Sequence, residues 1–505
     1  MDLELKCACL DAYETGGELT LTQEESAETI VPDYCPDIAR IVAADGKTYL
    51  HSRSLHDGKA ELTGTVRVTV LYIPEGEDGL RTLNFAMPFT VESDNRLLVD
   101  CQIPVAEVTA EALESRMLNP RKIFTHCTLA VRLTGYRHGA LRCCTDVEGD
   151  ETLQKRREQQ RAVLLTGIFE KDFTLTGDLN LSPGRSGAAE ILNCDLRHTV
   201  TEVKPVGNKL ILKGVFALSV LYRSVDGVLY STEGELPFSQ IMEVENGEGS
   251  VPSVQLQMTG TELQISGDDP EGRQIGVTLY FRAVALLRRE TELTLLNDLY
   301  STAFHVSYEA APLTLTSFHE QMIRRQTVRE VLEIGSVERV LALTAVCGGV
   351  SVSREGMLRT VVSVRALCLD REGNPLAAER TVDVSCQTEL PEDCRVCACA
   401  VCGDEVQGSA GDRGIELRIP VDFRIELSGF VKRVCVTAAQ LNEEKTEDEM
   451  PRPSLVLRCL GNRESVWDLA KRYRTTIPAI LSANKLEREE EIPHGRLLLI
   501  PGKRT

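Results

Sequence analysis

Ala60-Glu-Leu-Thr-Gly-Thr-Val-Arg-Val-Thr-Val-Leu-Tyr-Ile73 alternates apolar and polar residues and is rich in β-branched side chains. That is the period of a strand with one buried face. Pro74-Glu-Gly-Glu-Asp-Gly79 follows as a turn, and Leu80 to Phe89 is predicted to run back as the hairpin partner. The same hairpin recurs 150 residues later. Gly64 matches Gly214, Val70-Leu-Tyr72 matches Val220-Leu-Tyr222, and Met87-Pro-Phe89 matches Leu236-Pro-Phe238. A weaker third copy spans Arg359 to Leu369, with Asp370-Arg-Glu-Gly-Asn374 as its turn. Each copy is followed by a second related element: Asn119-Pro-Arg-Lys-Ile123, Glu271-Gly-Arg-Gln-Ile275 and Gly411-Asp-Arg-Gly-Ile415. An alternating strand comes after each of them. Internal repetition on this scale points to a mainly β chain of three β-rich domains.

The expected boundaries follow from composition. Residues 1–25 read as an N-terminal arm or edge strand, and residues 26–148, 162–290 and 301–441 as β domains one to three. Gly149 to Arg161 is charged and lacks apolar periodicity, as a joint would. Before the first hairpin, Asp37 is placed to cap a short helix carrying Ile38, Ile41 and Val42. Residues 442–453 form an acidic, proline-ended linker, predicted to be a flexible tether.

Residues 454–502 read differently. Leu455 to Leu460 suits a short strand, and Val466, Leu469, Ala470 and Tyr473 recur at helical spacing. Thr475 and Thr476 are helix-capping residue types, and Pro478 falls in the first turn of a second helix ending near Asn484. Arg496 to Ile500 is a second strand, closed by Pro501. The order is β-α-α-β. With Glu464 to Tyr473, Asn484 and Ile492 to Pro501, this segment resembles a LysM domain.

The whole layout resembles the spore-coat morphogenetic family that joins SPOCS repeats to a C-terminal LysM domain. The residues carrying that resemblance are Pro32-Asp33 and Pro36-Asp37-Ile38, the repeated Gly-x-Val and Val-Leu-Tyr strands with their Pro-Phe hairpins, and the terminal module. The resemblance implies a non-enzymatic scaffold in endospore coat assembly. Such a protein works in the mother-cell cytoplasm at the forespore surface and docks to a coat morphogenetic ATPase. It implies, as the alternative, binding of peptidoglycan or cortex glycan through the LysM groove. The groove-forming loops place Asn462, Arg463 and Glu464 on one side and Lys485, Leu486 and Arg488 on the other, with the only tryptophan, Trp467, between core and groove. Arg463-Glu464-Ser465 stands where the family has a Gly-Asp-Thr-like turn, and this departure favours protein docking over sugar binding.

Composition narrows the remaining classes. The net charge is −20, but residues 451–505 carry +5, which leaves −25 on the rest and argues against nucleic acid as a partner. No apolar run reaches the roughly 18 residues of a membrane span, and no secretory pattern opens the chain. Seventeen cysteines, scattered and odd in number, fit a reducing compartment. Cys394, Cys397, Cys399 and Cys402 have ligand-like spacing, yet a strand would send Cys397 and Cys399 to one face and the outer pair to the other. No metal or cofactor is expected. No HExxH, GxSxG, P-loop or GxGxxG signature occurs, so no enzyme is expected. Exposed edges of repeated β domains leave self-association open to this chain.

Overall fold

In the computed structural model, which describes residues 3–76, 79–182, 184–266, 271–403, 406–445, 454–461, 464–488 and 495–502, the quoted hairpin forms as read. Strand β3 (Lys59–Pro74) pairs antiparallel with β4 (Arg81–Asp94), and Gly64 lies opposite Phe89. A Cβ on Gly64 would meet the Phe89 ring and the Tyr49 carbonyl at 2.4 Å. The two halves of the repeated motif therefore explain each other: the aromatic ring covers the glycine across the strands. Gly214 and Phe238 repeat the pair in the second copy. In the third, Thr360 faces Val384, so the loss of the Pro-Phe step and of the glycine go together.

Each repeat is two three-stranded sheets packed face to face. In the first, β2 (Ile38–His56), β3 and β4 form one sheet, in the order β2-β3-β4. Strands β1 (Glu4–Ile30), β5 (Ile103–Asn119) and β6 (Lys122–Glu148) form the other, in the order β1-β6-β5. The second repeat follows the same plan with β7 (Leu153–Asn180), β8 (Ala188–Val206), β9 (Lys209–Ser224), β10 (Leu229–Glu243), β11 (Val251–Ile265) and β12 (Gln274–Ser301). Its larger sheet joins that of the first through the β7–β1 pair Leu165–Tyr13, in the order β11-β12-β7-β1-β6-β5. The third uses β13 (Phe304–Glu333), β14 (Arg339–Cys347), β16 (Met357–Leu369), β17 (Pro375–Gln387), β18 (Cys394–Cys402) and β20 (Gly414–Lys445). Short strands β15 (Ser351–Val352) and β19 (Gln407–Ala410) are added to it. The inward faces make one core per repeat, such as Val66, Val68, Val70 and Tyr72 of β3 against Leu129, Val131 and Leu133 of β6. Each of these aliphatic side chains contributes about 1.5–3 kcal/mol by burial.

The first and last strands of each repeat outrun their sandwich and continue as a two-stranded stem. The three stems meet in a shared core: Leu3, Cys143 and Val147 from the first, Leu293, Leu295 and Leu299 from the second, and Leu315, Val436 and Leu441 from the third. A second shared core joins the smaller sheets through the matching residues Leu71, Leu221 and Leu367. All three stems carry the same bulge, leaving Thr145, Asn297 and Thr437 without a residue opposite.

Three expectations are corrected here, and a fourth is decided. Of the two readings of residues 1–25, arm or edge strand, the strand holds: residues 4–25 belong to β1, paired to β6 along its length. Its apolar residues change parity between Leu5 and Ala8, and Gly16 is bulged out, so no single alternation was visible. The helix expected after Asp37 is β2. Two bulges there, at Ala39 and Val42, put apolar residues at helical spacing on a strand. The joint at 149–161 is mostly the start of β7, from Leu153, and the second repeat runs on to Ser301. A two-stranded stem leaves much of each face in water, so its charges cost little. Finally, β20 continues to Lys445, and the terminal module is seated on the stems rather than loosely tethered; residues 446–453 of the predicted linker lie outside the described residues.

The module anchored on the stems: a candidate docking site

Within the module the β-α-α-β order holds: β21 (Leu455–Cys459), α1 (Val466–Arg472), α2 (Ile477–Ala483) and β22 (Leu497–Pro501). Ser465 caps α1 in a reciprocal box with Asp468, and Thr476 caps α2 by accepting from the Ala479 amide at 3.2 Å. Asn484 donates to the Leu499 and Ile480 carbonyls at 2.7 Å and accepts from the Leu499 amide at 2.8 Å. It thereby substitutes for a neighbouring strand and locks α2 to β22. Leu460, Val466, Leu469, Ile480, Leu498 and Ile500 fill the core.

That core is completed by the body. Tyr300, at the end of β12, packs edge-on against Trp467 with ring centroids 5.0 Å apart. Its hydroxyl donates to the Thr475 carbonyl at 2.8 Å, and burial pushes its pKa up. Asp298 is the anchor. Its carboxylate accepts from Trp467 Nε1 at 2.7 Å, Lys471 Nζ at 2.6 Å and the Tyr308 hydroxyl at 2.8 Å. Burial alone would raise the Asp298 pKa, but the bonds from Lys471, Trp467 and Tyr308 outweigh it and hold the carboxyl below its usual range. Burial likewise works against the Lys471 ammonium, and the bonds to Asp298 and Tyr308 more than restore it.

The stems explain why the anchor sits at this junction. Asp146 and Asp298 both follow the stem bulge, opposite Lys6 and Arg156 respectively. Asp146 binds Lys155 at 3.1 Å and Arg157 at 2.7 Å from the next repeat. At the following junction the register puts Tyr308 where Lys155 stood, a hydroxyl in place of a cation. Lys471 of the module supplies the missing charge. In the third stem the post-bulge residue is Ala438, which offers no carboxylate.

The expected site residues divide accordingly. Trp467, only 7% exposed, faces the body rather than an outer groove. Glu464 is clamped by Arg458 at 2.8 Å and Arg472 at 3.0 Å. Lys485 and Arg488 are exposed, and Leu486 is half-buried against the module core. Asn462 and Arg463 lie outside the described residues. The outward face of the two-stranded β21–β22 sheet is apolar, with Leu455 51%, Leu457 60% and Leu497 55% exposed. Sequence reasoning missed Asp298, Tyr300 and Tyr308. The available signal was Asn297-Asp298 breaking the apolar run from Leu293 to Leu299.

The cysteine-rich segment is β18, and its sulfurs do not converge. Cys397 donates to Glu18 at 3.1 Å on one side, while Cys402 lies 3.3 Å from Cys347 on the other. Among the described residues no group of three His, Cys, Asp or Glu side chains is arranged to hold a metal ion. No helix among them is long and apolar enough to cross a membrane.

Comparison with known families identifies two modules. Residues 188–265, which run from β8 through β11, match the family described as SipL, SPOCS domain, and residues 462–501 match the LysM domain. No match was found among curated proteins or solved structures. The chain thus joins a SPOCS domain, which carries a sporulation context, to a peptidoglycan-binding-type module, both of them binding or adaptor domains.

Proposed function

We propose, from the union of a SPOCS domain with a LysM module in one chain, that this protein is a non-enzymatic scaffold in endospore coat assembly. In this reading it acts in the mother-cell cytoplasm at the forespore surface, and its module docks to a coat morphogenetic ATPase. The observation that carries the docking role is the outward face of the module's two-stranded sheet, where Leu455, Leu457 and Leu497 stand in water. Such a face suits an apolar protein surface better than a hydroxyl-rich glycan. The one tryptophan, the natural platform for a sugar ring, is already spent on Asp298 and Tyr300.

Peptidoglycan binding is the second reading, favoured by the LysM match at 462–501 itself; Lys485 and Arg488 would then line the glycan. One pair of assays separates them. Immobilised coat ATPase is expected to retain the full chain, and Leu457→Asp is expected to weaken retention at least tenfold without changing the tryptophan emission. Co-sedimentation with purified peptidoglycan, together with failure to bind the ATPase, would overturn the scaffold reading.

A further inference from the structure

Two cysteines face each other across the first stem. Cys7 of β1 and Cys144 of β6 are in register, and their sulfurs are 2.7 Å apart. Cys7 is exposed, whereas Cys144 is buried. The stem bulge makes the pairing: Lys6 lies opposite Asp146 and Cys7 opposite Cys144, leaving Thr145 between them. The matching positions of the other stems pair Arg157 with Leu296 and Ala310 with Val436, so the thiol pair belongs to the first stem alone. On its inner side Cys144 also touches the third stem, its amide donating to the Cys435 sulfur at 3.2 Å.

We propose that Cys7 and Cys144 form a redox modification site, which a low-molecular-weight disulfide such as oxidised glutathione converts into an intrachain disulfide stapling β1 to β6. The Cys7 thiolate attacks one sulfur of the reagent, forming a mixed disulfide and releasing one glutathione thiolate. The Cys144 sulfur then attacks the Cys7 sulfur, closing the protein disulfide and releasing the second glutathione. Two electrons pass from the cysteine sulfurs to the reagent, and the two cysteine protons end on the two glutathiones. Burial, with the hydrogen bond to Cys7, pushes the Cys144 thiol up to about 12, which disfavours it as the first nucleophile and leaves that step to the exposed partner; its place against the Cys7 sulfur is what fits it for the second. Cys9 is the internal control. It is equally exposed and two residues along the same strand, but Arg142 lies opposite it, so a mixed disulfide there has no thiol to resolve it.

The test uses the folded full chain, treated with oxidised glutathione, alkylated, digested and mapped by mass spectrometry. The expected main product links Cys7 to Cys144, while Cys9 and Cys459 carry glutathione. Cys144→Ser is expected to leave Cys7 as a stable glutathione adduct, and Cys435→Ser to leave the Cys7–Cys144 link intact. Treatment in denaturant is expected to abolish the preference for this pair. The proposal is overturned if wild-type Cys7 accumulates as a glutathione adduct, if Cys144 links instead to Cys435, or if both thiols are recovered alkylated.

Discussion

Replacing Asp298 by alanine removes the carboxylate that takes hydrogen bonds from both Trp467 and Lys471 of the module. The bond from Trp467 Nε1 is charge-assisted and largely buried, and is worth roughly 1.5–3 kcal/mol. The Tyr308 hydroxyl adds about 1 kcal/mol. Lys471 is 35% exposed, so its ion pair is screened and adds no more than about 0.5–1 kcal/mol. Because the three bonds share one acceptor they do not sum fully. A net loss of about 3 kcal/mol shifts the seated-to-released equilibrium by roughly two decades. Trp467 is the only tryptophan of the chain, so its fluorescence reports this contact and nothing else. Asp298→Ala is expected to red-shift the emission, raise acrylamide quenching and speed hydrogen exchange over 466–472. The sandwiches, whose cores do not include Asp298, should melt as before. Trp467→Phe keeps the ring against Tyr300 but loses the bond, and should release the module less completely. Unchanged emission and quenching in Asp298→Ala would refute the anchoring argument.

Other perturbations test the rest of the fold. Gly214→Ala places a Cβ 2.3 Å from the Thr199 carbonyl and 2.6 Å from the Phe238 ring. It should cost about 1–3 kcal/mol in urea unfolding, whereas Gly349→Ala, with open space around it, should be neutral. Burial, aided by Arg288, pushes His319 down to about 4. The unfolded chain therefore takes up this proton first, so stability present above pH 6.5 should fall as the pH drops toward 4. His319→Gln is expected to flatten that limb of the urea-midpoint profile. Arg121 donates to the Val31 and Cys35 carbonyls at 2.9 and 2.8 Å and pairs with Asp33 and Asp37. Arg121→Ala should cost about 1–2 kcal/mol, read as faster hydrogen exchange over residues 31–37.

Legibility in the sequence followed regularity of backbone. The module's helices, caps and strands were readable because each follows local rules of capping and period. The repeated hairpins were readable because β3 and β9 alternate without interruption. The Pro-Asp segment and the Asn-Pro-Arg element were recognised separately, and only the fold brings Arg121 onto Asp33 and Asp37. What failed to show was governed by bulges. A bulge shifts the phase of alternation, which hid β1, and in β2 it produced apolar spacings that imitate a helix. The anchor was invisible for another reason. Lys471 is 173 residues from Asp298 and 163 from Tyr308, and only the stem register shows that Tyr308 stands where Lys155 stands one repeat earlier.

That substitution also sets a stoichiometry. Three similar stems in one polypeptide could have offered three berths, as three separate subunits would. The first berth is filled from within by Lys155 and Arg157, and the third has lost its acid at Ala438. One remains, and its occupant is carried on the same chain. Each three-armed body therefore presents a single module in a single orientation, in a ratio that dilution cannot alter.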